Sequence, residues 1–224
     1  MTVNQIISDI RNIATSGSNP IEFRIEDSQL LFWCNEIRSK LISQAIGKKQ
    51  DVNDVWVQRI KCLELEQVDK SECCDIVTNC YILKSVQEIP DVVEAIGTMS
   101  VETILGKIIS YTNMFEAKYS KFNKYTKERP RWFVRDRFLY IINEDILKYV
   151  NIDLILENPA ELADFTDCSG AVCFTMNDTY PCTLKMASDI VDIVYKTKVI
   201  PFFQLPTDSK NDASNDGNNQ QIKN

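Results

Sequence analysis

The sequence predicts an α+β fold in which helices from the two ends of the chain pack as a small bundle and bracket a β-rich central lobe. Three observations predict it. Apolar residues recur at helical spacing through the first fifty or so positions. From about Val55 the spacing shortens to the alternation of strands, and near Leu184 the helical spacing returns. These changes divide the chain into an N-terminal helical hairpin (1–50), a β-rich lobe (51–160), a C-terminal helix with a docking segment that completes the bundle (161–206) and a polar tail (207–224).

Val3, Ile6, Ile7, Ile10 and Ile13 place a short amphipathic helix near 2–15, and Ser16-Gly17-Ser18-Asn19-Pro20 breaks it. A second helix starts near Asp27 or Ser28, either of which can cap it. Its apolar face carries Leu30, Leu31, Cys34, Ile37, Leu41, Ile42 and Ala45. Gly47, followed by Lys48 and Lys49, stops it. The short connection predicts an antiparallel pair. In the middle, Leu63 and Leu65 alternate with Glu64 and Glu66, and Tyr81, Ile82, Leu83 and Val86 form a second β-rich run. Ile104 to Tyr111 reads as extended, although its pattern is ambiguous. Trp132-Phe133-Val134, a turn at Arg135-Asp136-Arg137 and Phe138 to Ile142 read as a hairpin, and Val150 to Leu156 as a further strand. Leu184, Met186, Ile190, Ile193 and Val194 form the late helix, with Pro181 marking its approach. Residues 207–224 hold one substantial aliphatic, Ile222. They cannot offset an ordering cost of about 1–2 kcal/mol per residue, so disorder is expected there. No internal repeat is visible.

The absence of histidine excludes Ser-His-Asp and Cys-His nucleophile systems, His-containing zinc sites and the usual imidazole acid–base. A net charge of −7 argues against wholesale coating of DNA or of an anionic membrane. The N-terminus has no basic region of a secretory signal, and no segment approaches the roughly 18 apolar residues of a membrane span. A soluble protein made in a reducing cytoplasm is expected, with its eight cysteines mostly free thiols. Cys62, Cys73, Cys74 and Cys80, and then Cys168, Cys173 and Cys182, invite a zinc reading, and Cys168-x4-Cys173 just meets ligand spacing. There is no CxxC and no second matched pair, so buried thiols acting as small hydrophobes are the favoured reading, with no metal and no cofactor. Glu64, Glu66, Asp69, Glu72 and Asp75 read as the wet face of a half-buried sheet. Gly106-Lys107 lacks the upstream glycine of a phosphate loop.

Two segments suggest contacts. Lys118, Lys121, Lys124, Lys127, Arg129, Arg131, Arg135 and Arg137 face only Glu128 and Asp136, with Tyr119, Phe122, Tyr125, Trp132 and Phe133 interleaved. Such a patch can track a nucleic-acid backbone. The lysines and aromatics also fall on separate helical stripes, which suits a helix with a core face and a wet face, or contact with an acidic protein. Near the C-terminus, Phe202, Phe203 and Leu205 lie between Pro201 and Pro206, which are expected to hold the backbone extended. They either close the core beneath the last helix or anchor the chain on a partner.

The stretch Gln29-Leu30-Leu31-Phe32-Trp33-Cys34-Asn35-Glu36-Ile37-Arg38-Ser39-Lys40-Leu41-Ile42 resembles the early helix of head-to-tail adaptors in short-tailed phages. Ile152-Asp153-Leu154-Ile155-Leu156-Glu157-Asn158-Pro159-Ala160-Glu161 resembles a strand and acidic proline turn of the same proteins. The Asn/Asp-rich ending is similar to that of crAss-like Bacteroides phages, whose adaptor is called a ring protein. The likeness follows element order over most of residues 1–206, and the cysteine count departs from it. The resemblance implies a virion protein made in the host bacterial cytoplasm and placed at the head–tail junction. It implies a twelvefold homo-oligomeric ring beneath the portal, touching further tail or ring proteins, through which genomic DNA passes. It carries no catalytic residue. The competing reading is a small intracellular binding module with a thiolate-metal site.

Overall fold

The computed structural model describes residues 1–15, 24–69, 82–93, 100–119, 122 and 129–203. Among them the β-rich middle closes on itself. Strands β1 (Gln58–Val68), β2 (Ile82–Ser85), β3 (Ser100–Thr103), β4 (Ile108–Tyr111), β5 (Arg131–Arg135), β6 (Phe138–Ile142) and β7 (Tyr149–Leu154) form a barrel in the order β1-β2-β6-β5-β4-β3-β7. Strand β7 returns to β1, and β4 with β5 is the one parallel pairing among the described residues. Closure removes the exposed sheet edge that an open β-lobe would present.

Strand β1 explains how one alternating run lines so much of the interior. Ile60 and Leu63 are both buried although three residues apart, a spacing that puts side chains on opposite faces of a regular strand. The register shifts between them, and Cys62 there has a φ of 56°. This bulge returns Leu63 and Leu65 to the inner face and leaves Glu64 and Glu66 in water. The hairpin β5–β6 turns through Asp136 and Arg137, both at positive φ, the two-residue geometry that matches strand twist. The ambiguous Ile104–Tyr111 segment resolves into the second arm of a β3–β4 hairpin. Its turn uses Gly106 at φ +79°, so Ile104 and Leu105 sit at the tip rather than in a strand.

Helices α1 (Val3–Ala14) and α2 (Asp27–Gly47) occupy their expected positions. A capping box joins Thr2 and Gln5 at the start of α1, which buries Val3, Ile6, Ile7 and Ile10 and leaves Ile13 exposed. Neither Asp27 nor Ser28 caps α2. Glu26 is the N-cap and makes no side-chain cap bond, while Asp27 lies in the first turn and pairs with Arg11 at 2.7 Å. Helix α3 (Met114–Lys118) is short and covers the outer face of the barrel. There Ala117, Phe133, Tyr140 and Ile142 form a separate small core, with Phe133 stacked on Tyr140.

Helix α4 (Leu184–Val194) is capped by Thr183 and packs chiefly on α2, and also on α1. One continuous cluster runs from the barrel interior (Ile60, Leu63, Ile141, Ile152) into these helices (Ile10, Leu30, Ile190). Beyond α4 the chain stays helical through a π-turn (Tyr195–Val199) into α5 (Ile200–Phe203). Pro201 is therefore helical, not extended as expected. The wider π-turn ahead of it relieves the clash that a proline ring makes with the preceding turn of a regular helix. The tail (207–224) and Leu205 lie outside the described residues.

The expectation of free thiols fails at one pair. Cys62 and Cys168 form a disulfide, their Cα atoms 5.3 Å apart across 106 residues of sequence. The bulge presents Cys62 to the Cys168 loop, and Asn151 Oδ1 accepts from the Cys62 N–H. Cys34, Cys173 and Cys182 are free, and Cys73, Cys74 and Cys80 lie outside the described residues.

Candidate assembly surfaces

The resembling stretch on α2 carries a charged residue on its buried stripe, between Cys34 and Ile42, where charge alone would argue against burial. Arg38 is fully buried, and its guanidinium donates to three carbonyls: Leu156 at 2.6 Å, Pro181 at 2.8 Å and Trp56 at 3.3 Å. It also lies over the Tyr180 ring, 5.8 Å from the centroid. The Tyr180 hydroxyl donates to Asn35 Oδ1, and Asn35 Nδ2 donates to Asn158, which caps the 3-10 turn Pro159–Asp164. This network clamps α2 to the end of β7 and the acidic proline turn, so the two resembling stretches form one piece of structure. Burial lowers the Arg38 pKa and raises that of Tyr180 well above its ordinary value. Burial likewise pushes the Cys34 thiol up to about 12, with Cys182 adding to the rise, and raises Cys173 and Cys182. Such thiols are protonated and poor nucleophiles. Among the described residues no three His, Cys, Asp or Glu side chains gather as a metal site, and no helix is long and apolar enough to cross a membrane.

At the C-terminal end, Phe202 meets Trp33 of α2 edge-on with centroids 6.4 Å apart, and Phe203 packs edge-on against Phe202. Phe202 is nonetheless 57% exposed and Phe203 45%. The pair therefore rests on the domain without entering its core. Nearby, Lys198 pairs with Glu36 of α2 at 2.8 Å, fixing the π-turn on the same helix.

The basic stretch is not one helix. Helix α3 ends at Lys118 and β5 begins at Arg131, while Lys121, Lys124 and Lys127 lie outside the described residues. Trp132 and Phe133 are buried in the barrel wall, which removes them as stacking platforms, whereas Tyr119 and Phe122 are exposed. Arg129 and Arg131 stand at the start of β5. Arg135 and Arg137 stand at its far end, where Arg135 bonds Asp136, and Arg137 faces Glu88 and Asp91 and donates to the Ile89 carbonyl. Strand geometry thus splits the cations between the two ends of a hairpin.

Two apolar surfaces went unnoticed in the sequence. The β3–β4 tip and the loop before β7 form a groove of about 780 Å³, where Leu105 is 95% and Ile146 81% exposed, beside Ile108. Its charged lining is Lys107, Arg129 and Lys148, with Glu144. The Glu144 carboxylate accepts from the amides of Asp145 and Ile146, so it is turned into its own loop. A second concavity of about 640 Å³ lies on α2 around Leu31 and Phe32, the latter 62% exposed. Its charged lining is wholly acidic: Glu36, Asp91, Glu157 and Glu161. Period analysis could have flagged Phe32, which sits off the apolar stripe of α2. Nothing local marks the groove, because the strand pairing assembles it.

A family model described as phage tail ring protein 2 matches residues 5–217 of the chain, nearly its whole length. No curated protein matches it.

Proposed function

We propose, from the premise that this chain belongs to the crAss-like phage tail ring protein 2 family, that it is a non-catalytic wall segment of a closed ring at the head–tail junction. The ring sits against the portal, is twelvefold as the resemblance implies, and encloses the passage through which the genome is packaged and ejected. The observation that carries this reading is the family match over residues 5–217. A net charge of −7 supports a wall along which DNA slides, since phosphates are repelled rather than held. The disposition of the ionisable interior supports a structural role: Arg38, Tyr180 and Asn35 are spent on backbone carbonyls and on one another.

In this reading Phe202 and Phe203, half exposed at the end of α5, with Leu205 just beyond, attach the subunit to the portal or a neighbouring ring. Lys118, Arg129 and Arg131 contact a neighbouring protein, with Lys121, Lys124 and Lys127 following the same assignment, and DNA passes only transiently. Arg135 and Arg137 belong to the same set and also face carboxylates of their own chain. Reconstruction of purified particles by electron microscopy, with mass spectrometry of their protein content, tests the proposal. The chain is expected in a ring directly beneath the portal. Its absence from particles, with the protein dispersed in the infected cytoplasm, overturns it.

A further inference from the structure

A closed ring of identical subunits needs two different surfaces on each, because every contact is head-to-tail. The two apolar concavities meet that need. Strand β7 leads from one to the other: Tyr149 at its start lines the groove, and Glu157, just past its end, lines the Phe32 surface. The strand alone holds them roughly 17 Å apart, so they cannot meet within one chain. Each presents large apolar side chains to water, as contact sites do.

The charges around them are opposite. Lys107, Arg129 and Lys148 border the groove, with the one carboxylate, Glu144, bonded back to its own loop amides. On the other surface Lys198 answers Glu36 and Arg137 faces Asp91, leaving Glu157 and Glu161 to set the sign. Apolar centres with oppositely charged rims are complementary in the sense that fixes register and rejects self-pairing of like surfaces. The occupant that fits both features is therefore a second copy of this chain.

We infer that the β3–β4 tip of one subunit, led by Leu105, seats in the Phe32 concavity of the next, with Lys107 and Lys148 against Glu157 and Glu161. The inference rests on the ring reading above. It is tested with full-length variants supplied in trans to a phage whose own copy is inactivated, measuring this chain per purified particle. Lys107→Glu with Lys148→Glu makes both rims acidic, and Glu157→Lys with Glu161→Lys makes both basic. Each variant alone is expected to fall by on the order of tenfold or more, since like charges then meet at every contact. Supplied together they are expected to recover, because alternating subunits restore opposite charge at each contact of an even-numbered ring. Either variant reaching the parental level alone overturns the inference, as does failure of the pair to recover. A photo-crosslinking residue at Leu105 in the otherwise parental chain gives an independent answer. Linkage to the Phe32 peptide of another copy supports the contact, and linkage to the portal or another protein overturns it. If the parental chain itself is missing from particles, the ring reading is what fails.

Discussion

Replacing Arg38 by methionine keeps much of the volume of a fully buried side chain and removes all its donors. The carbonyls of Leu156, Pro181 and Trp56 then lose partners at 2.6, 2.8 and 3.3 Å. A hydrogen bond from a charged group contributes about 1.5–3 kcal/mol, and each buried acceptor left unpaired costs about 1–3 kcal/mol. Against this, the variant no longer carries the several kcal/mol that dehydrating a guanidinium costs. The longest bond, to Trp56, is the weakest of the three. A net loss of about 3–5 kcal/mol follows, close to what leaving the two nearest carbonyls unpaired costs. For a chain of this size 1 kcal/mol shifts Tm by roughly 2–4 °C, so thermal unfolding should move down by at least about 6 °C. Arg38→Lys keeps the charge but not the planar fork that reaches three carbonyls, and should recover less than half of the loss. An Arg38→Met protein melting within about 2 °C of the parent would refute the clamp, because the three carbonyls would then be satisfied elsewhere.

Three further outcomes are expected. Phe202→Ala with Phe203→Ala should cost only about 1–2 kcal/mol of stability, because roughly half of each ring is already in water, while attachment to particles falls sharply; a variant that does not fold assigns both rings to the domain core instead. The Cys34 thiol, pushed up to about 12 by burial, should resist iodoacetamide at pH 8 in the native protein and react once unfolded, read by peptide mass spectrometry; rapid native labelling contradicts its placement. Hydrogen bonds from the Ser169 hydroxyl and the Ser169 and Ala171 amides hold Asp167 below its ordinary 3.8. Its contribution to the loop is thus complete above that value and lost as pH falls through the lower folded one. The Ser169 and Ala171 amide resonances should hold steady on acidification from pH 7 to 5 and shift at lower pH; movement between pH 7 and 5 speaks against the bonds.

The features readable in advance were those whose causes lie within a few residues. The amphipathic spacing of Val3, Ile6, Ile7 and Ile10, the Asp136–Arg137 turn and the alternation around Leu63 each follow from local sterics and hydrogen bonding. The errors arose where a distant contact overrode the local preference. Trp132 and Phe133 count among the aromatics interleaved with the basic patch until barrel closure buries Trp132 inside and Phe133 beneath α3 on the outer face. Pro201 predicts an extended backbone until the π-turn makes room for it.

The sequence by itself determined the α+β class, the order of helical and β-rich regions, the exclusion of histidine-dependent chemistry and the family likeness, because periodicity, composition and short motifs are properties of neighbouring residues. Only the tertiary structure decided that the strands close into a barrel, that Cys62 reaches Cys168 across 106 residues, and that Arg38 lies inside. It also decided that Leu105 and Ile146 share one groove while Phe32 faces away among acids. Those outcomes depend on which residues, far apart in the chain, strand register and helix packing bring to the same place, and no local preference encodes that choice.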